Sequence, residues 1–159
     1  MKFRSVAVQK VRPNNAPSSV QVFEEGAIKV LKDGGFRITM QTVQVIRVLG
    51  WTTTALSAYQ IHEKIVAADG MIEVVSVDRI LAKLQEVGLV YHIGVVGAYF
   101  PCRLANATQR SLLIVDEAAK DVVEVALPSQ MIEAIQQLGT ENGFDVSTIK
   151  IEVVGTMRR

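Results

Sequence analysis

Apolar residues recur first at helical spacing and then at strand spacing, and the period changes near residue 89. Val20, Phe23, Ala27, Val30 and Leu31 line one side of a helix that Ser18-Ser19-Val20-Gln21, of capping-box form, opens and Gly34-Gly35 closes. Thr39 is placed to cap a second helix with Met40, Val43, Ile46 and Leu49 on one face and Gly50 at its end. Ser57 caps a third, with Ala58, Ile61 and Ile65 inward, which stops at Asp69-Gly70. Ser76 caps a fourth, over 76–87, whose Val77, Ile80, Leu81, Leu84 and Val87 follow the helical repeat up to Gly88.

The chain then reads as two short β-rich runs, Leu89 to Ile93 and Ala98 to Cys102, across the glycine-bracketed turn Gly94-Val95-Val96-Gly97. Three compact helices followed by a hairpin give the winged-helix order, in which the third core helix enters a major groove. Beyond a small polar connector come strands over 111–115 and 121–126, a helix from Ser129 to Leu138, and a last strand. There Ile149, Ile151 and Val153 alternate with Lys150 and Glu152. The pattern predicts an α+β protein: an arm over 1–17 that breaks at Pro13 and Pro17, a winged-helix domain over 18–103, a linker over 104–110, and an α/β domain over 111–159. The last unit is small and has exposed edges, so pairing with a second copy is expected.

Composition narrows the class. At 49% apolar and 21% charged the chain buries a core and is no disordered tail. No apolar stretch runs unbroken for the roughly 18 residues of a bilayer crossing, and Gln9, Lys10 and Arg12 stand where a signal peptide needs an apolar segment, so a cytoplasmic protein without membrane attachment is expected. One cysteine and two histidines leave little for nucleophilic catalysis, and no enzyme is expected. The net charge of +1 divides into +3 over residues 1–102 and −2 over 103–159, a mildly basic front and acidic back.

Gly35-Phe36-Arg37-Ile38-Thr39-Met40-Gln41, Ser57-Ala58-Tyr59, Ser76-Val77-Asp78-Arg79-Ile80-Leu81, Leu84-Gln85-Glu86-Val87-Gly88-Leu89-Val90, Tyr99-Phe100-Pro101-Cys102 and Gly143-Phe144-Asp145-Val146 together resemble the ferric uptake regulator (Fur) family, nearest its zinc-uptake branch. The likeness spans roughly residues 18–157 in order and spacing. It implies a homodimeric transcriptional regulator with a winged-helix DNA-binding half and an α/β dimerisation half.

The resemblance also implies metal ligands, and these are missing. Asp116 and Ala119 fall where the family has a Cys-x-x-Cys pair, and Gly155-Thr156-Met157-Arg158-Arg159 falls where a second pair would follow, so a Cys-rich zinc site cannot form within one chain. For the regulatory site, Cys102 matches a ligand position and Glu124 lies near a carboxylate one, but Tyr91 takes the place of a histidine and Arg110 or Ser111 that of another. A Cys102, His92, Glu124 site would need a local bulge, because neighbouring strand residues face opposite ways. No metal and no cofactor is therefore expected.

For DNA the resemblance and the helix pattern single out Arg79 as a base reader, since arginine to guanine is the commonest specific contact. Its bland alternative is a solvated helix arginine. Lys83 either grips phosphate or keeps the helix soluble beside Glu86; Arg37, Gln41, Tyr59 and Ser76 are further DNA-binding candidates. Asp78 replaces an aromatic of the family and is read as a helix-dipole partner near a Ser76 cap. His62 is read as a hydrogen-bonded structural histidine and Cys102 as a small buried hydrophobe. Two functions compete: a metal-independent regulator binding duplex DNA as a homodimer, and a Fur-fold interaction module without sequence-specific DNA binding, acting as a dimer or as a heterodimer with a metal-binding relative.

Overall fold

Pro17 opens the first helix. In the computed structural model, which describes residues 17–103 and 110–158, α1 runs Pro17–Asp33. Proline suits that first position because its missing N–H would have no helical partner there. Ser18 therefore lies inside the first turn and not at the position before it. The arm over 1–16 and the linker over 104–109 lie outside the described residues, while Arg110 already belongs to a strand.

The other helices are α2 (Met40–Trp51), α3 (Ala58–Ala67), α4 (Val74–Glu86) and α5 (Ser129–Glu141). Two caps form as the sequence predicts. Thr39 Oγ1 accepts the Thr42 N–H at 3.2 Å. Ser57 and Gln60 make a full capping box, Gln60 N–H donating to Ser57 Oγ (3.2 Å) and Ser57 N–H to Gln60 Oε1 (2.9 Å). Ser76 does not cap α4. The Glu73 carbonyl accepts both Ser76 N–H (3.0 Å) and Val77 N–H (3.1 Å), so the helix begins at Val74 without a side-chain cap.

Four of the five described helices end alike. Phe36 N–H returns to Leu31 O (2.9 Å) and Gly35 N–H to Lys32 O (3.0 Å), with Gly35 at φ +77°. The same pair of bonds closes α3 around Asp69, α4 around Gly88 and α5 around Gly143, all at positive φ. The exception is α2, which continues through Gly50 to Trp51 and is followed by an extended Thr52. Gly50 is thus an interior residue: a Cβ there would sit 3.1 Å from Val20 Cγ1 and 3.5 Å from Phe23 Cδ1, and its absence lets α1 cross close to α2.

Val45, Ile46, Leu49, Ile61, Ile65, Val77, Leu81 and Leu84 form the buried centre of the helical half, with Ala27 and Leu31 of α1. Each fully buried Leu or Ile contributes about 1.5–3 kcal/mol. A second core joins the halves. The hairpin β1 (Val90–Ile93) and β2 (Ala98–Pro101) buries Tyr91, Ile93, Ala98 and Phe100 together with Leu113, Val115 and Val122. The last three belong to a three-stranded sheet of order β4-β3-β5, with β3 Arg110–Asp116, β4 Val122–Ala126 and β5 Ile149–Gly155. β3 runs antiparallel to β4 and parallel to β5. Ala55 N–H donates to Lys120 O (3.0 Å), and Lys150 Nζ reaches His92 O (2.8 Å), so backbone and side chain both tie sheet to helical half.

α5 has no buried residue, and Leu138 and Phe144 are 60% and 69% exposed. On the sheet, Ile114 and its register partner Val153 are exposed too. Within one copy of the chain this layer leaves apolar surface uncovered. No helix among the described residues is long and apolar enough to cross a membrane.

Candidate functional site

Two places in the molecule gather charged side chains whose arrangement has chemical meaning. The first is the outer face of α4. Val77, Ile80, Leu81 and Leu84 turn into the core, which leaves Arg79 and Lys83, one turn apart, exposed. Arg37 and Tyr59 are exposed on neighbouring elements, Ser76 is half-buried, and Gln41 is tied down, its Nε2 donating to Met71 O at 3.4 Å. Asp78 is the fifth residue of α4, beyond the first turn, so the dipole account of it falls with the Ser76 cap. Its carboxylate acts instead on the hairpin: burial and then Asp78 push the Tyr99 phenol above its ordinary pKa.

The second place is buried between the halves. Glu124 of β4, only 2% exposed, accepts from Tyr91 Oη at 2.8 Å and Cys102 Sγ at 3.3 Å on one oxygen and from the Arg103 backbone N–H at 2.8 Å on the other. The Tyr91 hydroxyl also lies 3.0 Å from the Cys102 sulfur. Arg103 continues the chain of contacts. Its Nη2 donates to Leu49 O (3.1 Å), Gly50 O (3.1 Å) and Thr52 O (2.7 Å), the open end of α2, and its guanidinium stands over the Phe100 ring. Burial pulls its pKa below the ordinary value and Glu124 partly restores it.

The structure corrects several expectations here. His92 does not join Cys102 and Glu124: the register Tyr91↔Phe100, His92↔Tyr99 is unbroken, no bulge intervenes, and the His92 ring lies against Tyr99 at 4.9 Å. Cys102 is buried but is more than a hydrophobe, since its thiol meets two polar partners. His62 Nδ1 is buried without a hydrogen-bond partner among the described residues, so the expected structural bond at that atom is not made. Arg103, unmarked in the sequence except as a neighbour of Cys102, is the polar centre of this region. No local sequence pattern signals it, because its partners Leu49, Gly50 and Thr52 lie more than 50 residues away.

At the place of the first absent cysteine pair, Asp116 Oδ1 accepts from Ala118 and Ala119 N–H, both at 3.0 Å, and Oδ2 from Met157 N–H at 3.1 Å. A carboxylate thus fastens the β3–β4 turn to the tail after β5.

The sequence model of the ferric uptake regulator family matches residues 33–154. The chain belongs to that family. No curated protein matches the sequence. Among solved structures, a zinc uptake regulator complexed with zinc and DNA is 23% identical at TM-score 0.74, covering 87% of this chain and 92% of its own. Holo XcZur is 20% identical at TM-score 0.70 (86% and 94% covered), and apo XcZur 19% identical at 0.53 (88% and 96% covered). These likenesses show the fold, an α+β architecture with a helical N-terminal half and an α/β C-terminal half.

The donor set of this family member does not fit a zinc ion. Zinc takes four N, S or O ligands in a tetrahedron. Here one thiol and one carboxylate share a site with a phenol, both carboxylate oxygens already accept hydrogen bonds, and His92 faces away. Among the described residues no group of three His, Cys, Asp or Glu comes together.

Proposed function

We propose that the protein is a transcriptional regulator that binds duplex DNA as a homodimer and does so without bound metal. The observation that carries this reading is the outer face of α4, where Arg79 and Lys83 stand free of the core on a fold like that of the zinc uptake regulator complexed with zinc and DNA. α4 enters the major groove, Arg79 contacts a base edge, and Lys83 and Arg37 grip phosphates, with Gln41, Tyr59 and Ser76 at the backbone. The uncovered apolar residues Leu138, Phe144, Ile114 and Val153 support pairing of two copies through the C-terminal half. Metal independence is supported by the donor set around Glu124, where one thiol and one phenol stand beside the carboxylate and the unbroken hairpin register turns His92 away.

A gel shift with a selected site and with random DNA tests the reading. Arg79→Ala weakens the selected site more than random DNA, by the roughly 1–3 kcal/mol of a bidentate base contact. Equal losses on both would make Arg79 a positioning residue only. Failure of the unaltered chain to bind at low salt would favour a Fur-fold interaction module, alone or paired with a metal-binding relative.

A further inference from the structure

We propose that Arg103 and Glu124 form a latch that holds the two halves of the chain in one fixed arrangement and so positions α4 for DNA. The DNA part of this inference rests on the function proposed above; the latch itself does not. Glu124 comes from β4, whereas Tyr91, Cys102 and the Arg103 N–H come from the hairpin and the residues just after it. One carboxylate therefore gathers donors from the other half of the molecule. The Arg103 backbone is held by Glu124 while its side chain spans back to the carbonyls of Leu49, Gly50 and Thr52. The path runs β4, Arg103, α2, through a single residue at the last described position before the connector.

An independent observation points to the same role. α1, α3, α4 and α5 close on their own backbone with a positive-φ residue, and α2 alone ends in an extended Thr52. Only Leu49 O among these last carbonyls receives a local backbone donor, Thr52 N–H at 3.3 Å; such a helix end needs outside donors, and Arg103 Nη2 reaches Leu49 O, Gly50 O and Thr52 O. The guanidinium is buried among neutral carbonyls and the Phe100 face, with Glu124 as its nearby counter-charge, so each of the two charges makes the burial of the other tolerable. Neither half can swing away without exposing one charge and stranding the other. Arg103 is a positioning residue in this scheme: it orients the helical half and touches no DNA.

The test uses the full chain with Arg103→Met and, separately, Glu124→Leu, each near its parent in volume. Small-angle scattering of the dimer reads the arrangement of the halves, and gel shift reads DNA affinity. Both variants are expected to raise the radius of gyration by roughly a tenth as the halves separate. Both are expected to lower DNA affinity about tenfold, because only a fraction of molecules remains competent. A role confined to capping α2 would fray residues 52–54 in Arg103→Met but leave the radius unchanged in both, and that result overturns the latch. Should Glu124→Leu fail to fold, Glu124→Gln, which keeps the shape and removes the charge opposite Arg103, is measured in its place. Since scattering needs no DNA, a chain that never binds DNA but opens in Arg103→Met would refute the proposed function and keep the latch.

Discussion

The Asp116 carboxylate lies 3.1 Å from the backbone N–H of Met157, 41 residues away, while its other oxygen holds the turn at Ala118 and Ala119. The sequence resemblance places one cysteine pair at 116 and 119 and a second after the last strand. This chain fastens the same two segments with hydrogen bonds to one carboxylate.

Asp116→Ala removes these bonds together and is expected to destabilise the protein by about 1–3 kcal/mol, since several partly exposed backbone donors lose a charged acceptor at once. Urea unfolding measures this as a lower midpoint with unchanged slope. A midpoint equal to that of the parent would show the bonds to be incidental.

The two serines offer a matched comparison. Ser57→Ala takes away a cap that satisfies Gln60 N–H and costs about 1 kcal/mol. Ser76→Ala, two residues inside α4, is expected to change stability by less than about 0.5 kcal/mol, because no N–H depends on its hydroxyl for capping. Thermal unfolding of both variants side by side checks the order.

That contrast shows how much was legible. Thr39 and Ser57 were readable as caps because each stands just before a helical repeat, and Gly35 and Gly88 were readable as helix ends, whereas α5 runs past the expected Leu138 to Glu141 before Gly143 closes it. Ser76 misled because Val74 and Val75, β-branched and apolar, look like loop or strand residues, yet the Glu73 carbonyl already accepts Ser76 and Val77 N–H and the helix starts at Val74. Gly50 reads as a stop, but its missing Cβ serves the approach of α1, a relation between residues 30 apart that no local pattern contains. The latch was invisible for the same reason: the resemblance marks Glu124 as a position near a metal ligand, and Arg103 is marked only by what lies opposite it in space.

Gly139 makes a sharper steric prediction than Gly50. A Cβ at Gly139 would fall 2.3 Å from Val146 Cγ2, so Gly139→Ala forces the residues after α5 to move. The expected loss is about 1–3 kcal/mol despite the higher helix propensity of alanine. Gly50→Ala, with contacts no closer than 3.1 Å, should cost less. Chemical denaturation ranks the two.

The uncovered C-terminal face predicts the assembly. Leu138→Lys with Phe144→Asp places charges on the exposed apolar surface and is expected to move the protein from dimer to monomer in sedimentation equilibrium at micromolar concentration. Folded monomers from the unaltered chain would refute the dimer, and dimers that survive both charges would place the contact elsewhere.

The central claim is metal-independent DNA binding through α4, and fluorescence anisotropy tests it most directly. Protein freed of metal by chelator is titrated into a site chosen by selection from genomic fragments, at two salt concentrations, before and after adding zinc. The account predicts binding without metal, a steep fall in affinity as salt rises, and no gain on adding zinc. Binding that appears only once zinc is restored would contradict it, and so would no binding at low salt.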